Sequence, residues 1–242
     1  MSVFANAGNS FLPPGLRSMG GTINLDDMGV PGRHGQLPNP DLNPESGTGL
    51  DAGASITPMS NLNLGIRGFF INVDDAIIEN IVSLDPSQTQ SINAGTTRSM
   101  GIELEAGSRV TQRVSWFANY TYMNTTIINE LDADQDGATV PFAPSHVANA
   151  GFSIYSQTGL TVSPALNYNG GYYDSSSKSG RNEFNPGLVA NLYISQVVRT
   201  RGNYDLNLFA RGYNLTDNRY EMPWQFQNTG LAITGGFRVK FR

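Results

Sequence analysis

Leu231-Ala232-Ile233-Thr234-Gly235-Gly236-Phe237-Arg238-Val239-Lys240-Phe241-Arg242 is the stretch that decides the fold class. Leu231, Ile233, Phe237, Val239 and Phe241 alternate along it with Thr234, Arg238, Lys240 and Arg242. A period of two belongs to a β-strand whose faces meet different surroundings. One face is apolar enough for lipid, and the other carries charges that need water.

The same split recurs upstream. Met100, Ile102, Leu104 and Ala106 part from Ser99, Gly101, Glu103 and Glu105, which places two carboxylates in a wet lumen. Val114, Trp116, Ala118, Tyr120 and Tyr122 part from Ser115, Asn119 and Thr121, with Phe117 on the polar face. Leu160, Val162, Pro164, Leu166 and Tyr168 part from Thr161, Ser163, Ala165, Asn167 and Asn169. Weaker alternation covers Asn61–Val73, His146–Tyr155, Leu188–Val197 and Tyr204–Tyr213. With Ser2–Ser10 and Gly49–Ile56 the set comes to about ten strands.

Connector lengths alternate too. Short turns are expected at Pro58–Asn61, Ser108–Arg113, Ser156–Gly159 and Arg199–Asn203. Long loops are expected near residues 11–47, 84–94, 127–144, 174–186 and 217–228. Transmembrane barrels put tight turns on the periplasmic side and long loops outside. The prediction is an all-β, antiparallel transmembrane barrel sheet of about ten strands, forming a single domain over residues 1–242.

Composition agrees. Charged residues are only 14% of the 242 residues and hydrophobic ones 39%, with neutral polar residues and 27 glycines filling the rest. Glycine and 13 prolines interrupt every tract before a helical stripe develops. No run reaches the ~20 apolar residues of a membrane-spanning helix. A net charge of −5 and the lack of any Lys/Arg cluster argue against a nucleic-acid partner. Without cysteine, and with only His34 and His146, disulfides, thiolate metal sites and multi-histidine sites are excluded. The N-terminal residues lack the basic start and apolar core of a signal peptide.

Four segments resemble the TonB-dependent receptors of the bacterial outer membrane. Asn93-Ala94-Gly95-Thr96-Thr97-Arg98-Ser99-Met100-Gly101-Ile102-Glu103-Leu104-Glu105 looks like that family's late-barrel strand. Asn39-Pro40-Asp41-Leu42-Asn43-Pro44-Glu45, Pro141-Phe142-Ala143-Pro144-Ser145-His146 and Asn214-Leu215-Thr216-Asp217-Asn218-Arg219-Tyr220 resemble other family segments, in the family's order. The resemblance implies the C-terminal portion of a barrel of about 22 strands. It further implies uptake of a scarce nutrient such as a ferric siderophore, captured as a small metal chelate by outer loops, with no enzymatic chemistry. Implied partners are outer-membrane lipid, the barrel assembly machinery and, through a plug not found in this sequence, TonB. Family chains usually end on an aromatic residue that the assembly machinery reads, whereas here Phe241 is followed by Arg242.

An open ten-stranded sheet exposes two unpaired edges, which hydrocarbon does not tolerate. Continuation in a longer parent, pairing with a second chain and closure as a small barrel would each remove them. The last defines the alternative function, a self-contained surface-binding barrel stiffened by calcium. Small inward residues such as Ser115, Asn119, Thr121, Ser163, Asn149 and Gly151 favour a wide hydrated lumen over a packed one.

Several constellations merit a chemical reading. Asp132, Asp134 and Asp136 followed by Gly137 match the start of a calcium loop, but Ala143 stands where the bidentate Glu belongs, so solvated carboxylates are the default. Glu103 and Glu105 are spaced like paired hydrolytic carboxylates yet fit a lumen wall better. Ser175-Ser176-Ser177-Lys178 matches Ser-x-x-Lys only formally. Arg33, His34, Tyr172, Tyr173, Arg181, Trp224 and Phe226 fall in outer loops, where cations and rings could hold an anionic, ring-bearing chelate. The competing reading puts Tyr168, Tyr172 and Tyr220 in an interfacial aromatic girdle and makes His146 a turn residue.

Overall fold

The structure, a computed structural model, describes residues 1–199, 204–220 and 228–241. Its strands in chain order are β1 (Ser2–Leu12), β2 (Gly35–Leu37), β3 (Glu45–Met59), β4 (Leu62–Leu84) and β5 (Ser87–Thr111). They continue with β6 (Val114–Ile128), β7 (His146–Tyr155), β8 (Leu160–Asn169), β9 (Tyr172–Tyr173) and β10 (Glu183–Phe184). The last three are β11 (Gly187–Arg199), β12 (Tyr204–Tyr213) and β13 (Ala232–Phe241). One large sheet runs in the order β1-β3-β4-β5-β6-β7-β8-β11-β12-β13, with β2 added in parallel to β5. The ten strands of that path match the expected set, and 146–155, 160–169 and 204–213 are found with the expected bounds. Among the described residues no pairing joins β13 to β1, so the sheet is open.

Turns at Ser60-Asn61, Gln112-Arg113 and 156–159 gather at one end, and long connections at the other. The expected turn at 199–203 lies mostly outside the described residues. One expected loop is corrected. Residues 84–94 are not a long loop, because β4 and β5 pair up to Leu84 opposite Ser87 and turn over Asp85-Pro86. Beyond the membrane both faces of this hairpin are wet, so its polar sequence lacks the alternation that marks the strands below.

Register keeps the two faces distinct across the whole sheet. Ala7, Leu50, Phe70 and Met100 follow one another across β1, β3, β4 and β5 on the outward face. Ile66, Leu104, Tyr120, Ala148, Tyr168 and Leu188 do the same from β4 to β11. Ile233 and Phe237 on β13 stand 72% and 70% exposed on this face, a display that needs lipid.

On the inward face, phenylalanines lie down over glycines of the next strand. Phe4 opposes Gly53, Phe69 opposes Gly101, Phe117 opposes Gly151 and Phe209 opposes Gly236. A Cβ on any of these glycines would strike the ring that covers it. Phe117, expected inward from its place on the polar face, thus paves the wall with the other three rings instead of filling the lumen.

Among the described residues there is no central apolar core. Buried apolar residues such as Leu37, Leu42, Ile127, Ala138, Phe184 and Val189 sit where the outer loops press on the strand tops. A short helix, α1 (Leu16–Gly20), belongs to the first of those loops.

Candidate functional site

Two features line the sheet's inward face. The first is a charged row: the Asn6 amide donates to the Asp51 carboxylate at 3.1 Å, and Arg67 bridges Asp51 at 3.4 Å and Glu103 at 3.1 Å. Glu103 is therefore a wall residue held by a cation, as its lumen reading implied. The second is an asparagine ladder. Asn149 donates to Asn119 at 2.9 Å, Asn167 to Asn149 at 2.6 Å, and Asn191 to Asn167 at 2.7 Å. The backbone N–H of Asn214 then donates to Asn191 at 3.0 Å. Sequence reading put Asn119, Asn149 and Asn167 inward but could not join them, because cross-strand register is not written in any one strand.

The outer rim is built by loops clasped to strand tops, and each resemblance segment outside the late strand is such a clasp. In the first loop, Asn39 donates to the Ser91 carbonyl, Asn43 and Asn93 exchange hydrogen bonds, and Ile77 N–H donates to Glu45. Fully buried Gln88 donates to the Asp27 and Arg33 carbonyls and accepts from Gly29 N–H. This holds Arg33 and His34 at the hairpin tip, where His34 Nδ1 accepts from Ser87 N–H at 3.0 Å. Arg33 reaches Asp27 only at 4.0 Å and is largely solvated.

A second cluster stands over β7, β8 and β11. The ring of Tyr172 stacks on Phe184 with centroids 5.2 Å apart, and Phe142 meets both rings edge-on. Burial there raises the Tyr172 phenol above its ordinary range. Phe142 takes positive φ, and its N–H donates to the Tyr173 carbonyl. The guanidinium carbon of Arg181 lies 3.5 Å from the centroid of the Tyr173 ring. Its Nη1 is shut off from solvent without a hydrogen-bond partner, and no carboxylate is within ion-pair distance among the described residues. The remaining pair, Trp224 and Phe226, lies outside the described residues. The Arg33–His34 group sits on the β4–β5 hairpin tip and the Tyr172–Arg181 group over β7, β8 and β11, so the described members of the predicted set fall in two patches.

The three aspartates do not converge. Asp132 accepts from the Asp134 N–H, and Asp136 from the Asn129 N–H. Asp134 accepts from both the N–H and the hydroxyl of Ser179, contacts that hold its carboxyl below the usual range. Among the described residues no group of three or more ligating side chains could surround an ion. The formal Ser-x-x-Lys segment is part of this lacing, with Lys178 Nζ donating to the Asp136 carbonyl at 2.7 Å. Thus 129–145 and 174–186 are fastened into one outer layer.

Unanticipated contacts appear on the outward face and in the last loop. His146 begins β7, where its Nδ1 meets the Tyr120 hydroxyl at 2.7 Å and its ring packs on Tyr122. It is a strand residue and not the expected turn residue, two positions before Ala148, which opposes Tyr168. Fully buried Asn214, at φ 50°, donates to the Asn218 and Thr229 carbonyls and accepts from Thr216 and Asn218. Tyr220 lies over Gly187.

An amphipathic antiparallel sheet with a polar inner wall, tight turns at one end and clasped loops at the other defines a segment of an outer-membrane barrel. A family model described as TonB dependent receptor-like, beta-barrel matches residues 1–233, and the chain belongs to that family. Its place is the bacterial outer membrane. The chain is 32% identical over 136 residues to the ferric-pyoverdine M114 receptor PbuA of Pseudomonas sp. (strain M114), covering 54% of this chain and 16% of that receptor. It is 34% identical over 82 residues to the ferrioxamine receptor of Yersinia enterocolitica, covering 34% and 11%. In fold it is similar to BauA, the ferric preacinetobactin receptor from Acinetobacter baumannii, with TM-score 0.71, 15% identity, and coverage of 98% of this chain and 34% of that one. The chain spans about a third of the length of the solved receptors it matches.

Proposed function

We propose that this chain supplies the wall and part of the outer loops of a receptor that imports a metal chelate, a ferric siderophore being the leading candidate. Relatives named for ferric pyoverdine and ferrioxamine support that class of ligand. In the intact receptor, outer loops capture the chelate, and an energised partner, TonB, acts through a plug enclosed by the barrel. No bond-making step falls to these residues.

One observation carries the ligand side of the reading: Arg181 is stacked on Tyr173 with a buried nitrogen that lacks a hydrogen-bond partner, and it forms no ion pair among the described residues. A planar cation over a ring at the outer rim is suited to an anionic, aromatic-bearing chelate. The test is equilibrium binding of ferric pyoverdine and ferrioxamine to the intact receptor containing this chain. Arg181→Ala is expected to weaken the preferred chelate by about 1–2 kcal/mol, roughly ten-fold. If neither chelate nor any other iron complex binds the parent protein, the siderophore reading fails; if one binds equally well without Arg181, only the site assignment fails.

A further inference from the structure

The outward face of β1, β3, β4, β5 and β6 is not uniformly convex. A shallow apolar groove of about 910 Å³ crosses it, floored by small residues (Ala7, Ala52 and Gly68) and walled by Phe70, Met100 and Ile102. Register alternation places all six on the lipid side. Small side chains in register on adjacent strands are what open the groove, since bulky ones flank them on both sides.

Arg98 stands one same-face step above Met100, about 7 Å nearer the outer loops. Its guanidinium carbon is 5.8 Å from the Phe70 ring, so the cation sits at the upper rim of the groove. Its Nε is closed to solvent and has no hydrogen-bond partner. No carboxylate pairs with it among the described residues. Asn72 lies directly opposite on β4, its amide oxygen also unpartnered, and Asn124 lines the groove's polar end. An arginine that merely reached for bulk headgroups would project into solvent; this one is half-buried, with its Nε lacking a hydrogen-bond partner.

We infer that this groove is a binding site for one phosphate-bearing lipid of net negative charge in the outer leaflet, its acyl chains in the groove and its phosphate accepting from Arg98 and from the side-chain amide N–H groups of Asn72 and Asn124. Charge selects the occupant. A net-neutral headgroup would leave the cation uncompensated, whereas a phosphate accepts from several donors at once. The height agrees, because Arg98 lies just above the apolar residues Met100 to Ala106 that span the hydrocarbon.

The experiment is retention of lipid by the intact polypeptide containing residues 1–242, purified in a maltoside detergent and followed by native mass spectrometry. Bisphosphorylated lipid A and phosphatidylcholine are the probes. One lipid A per chain should survive detergent washing, while phosphatidylcholine should wash off. Arg98→Gln should lower lipid A retention about ten-fold, and so should Ala52→Phe, which fills the groove. Arg98→Lys should keep a measurable part, and Lys240→Gln, which removes an equal charge elsewhere, should change nothing. Heat-modifiable gel mobility establishes that each variant is folded. Equal retention of both lipids, or parental retention by a folded Arg98→Gln, would overturn the assignment; displacement by millimolar inorganic phosphate alone would overturn the acyl half of it.

Discussion

The residues that matter most to the outer rim are those whose conformations no other side chain could replace. Asn214 is the extreme case: fully buried, in the left-handed region, with its side-chain amide making four hydrogen bonds to three residues and its N–H on the last rung of the asparagine ladder. Asn214→Ala removes the side-chain bonds and leaves an alanine at positive φ, which should cost about 2–4 kcal/mol. A lower temperature for loss of the heat-modifiable band of the intact receptor containing this chain would show it. Gly101 is a second fixed point, since any Cβ would collide with the Tyr122 carbonyl and with the Phe69 ring. Gly101→Val should destabilise by about 1–3 kcal/mol through forced displacement, read the same way. At this scale the sequence was half legible. The Asn-Leu-x-Asp segment could be recognised, but its work as a clasp could not, because Asn191, Thr229 and Gly187 come from elsewhere in the chain. Alternation placed Phe117 inward, yet only register shows that it lies on a glycine.

Whole strands were read well wherever lipid imposes a contrast between faces, and poorly where it does not. β7, β8 and β12 cross the membrane for most of their length, and their bounds follow from the apolar alternation. The upper halves of β4 and β5 carry polar runs such as Ser87-Gln88-Thr89-Gln90-Ser91 and so looked like a loop. Their strand form is set by pairing with each other and by the first loop, whose β2 adds to β5 through Gln36 and Leu37. The layer formed by 129–145 and 174–186 depends instead on carboxylates, and its pH response follows. Hydrogen bonds from Ser179 to Asp134 and from Asn182 to Asp174 hold both carboxyls below their usual range. A lowered folded-state pKa means the contribution is complete above the unfolded value of about 3.9 and is lost as pH falls through the lowered value. Protection from proteolysis in these loops is therefore expected to be flat from neutral pH down to about 5 and to decline below about 4. In the intact receptor containing this chain, Asp134→Asn should show the weakened protection already at pH 7, while the strands stay resistant.

The molecule as a whole has one unmet demand, which is the fate of its outer edges. β1 and β13 end the strand order, and each presents a row of backbone N–H and C=O groups with no partner on one side. In water such edges invite aggregation, and in hydrocarbon each unsatisfied group costs several kcal/mol. The apolar outward face allows no retreat into water, since Ile233, Phe237 and Phe241 are among its most exposed residues. Nor does the inner wall favour closing the ten strands into a narrow barrel. It is paved by flat rings over glycines and carries a charged row and an amide ladder, which keep their hydration only beside a wide lumen. The related solved receptors are roughly three times as long as this chain, a length that leaves room for further strands to complete such a ring. Residues 1–242 refolded alone into detergent or lipid should accordingly give no heat-modifiable band and should be digested by protease, whereas a polypeptide carrying the neighbouring strands of the barrel should give both the band and resistance. A compact, resistant product from residues 1–242 alone would mean that β1 and β13 find each other, and with them a small barrel whose wall must repack around Arg67 and the asparagine ladder.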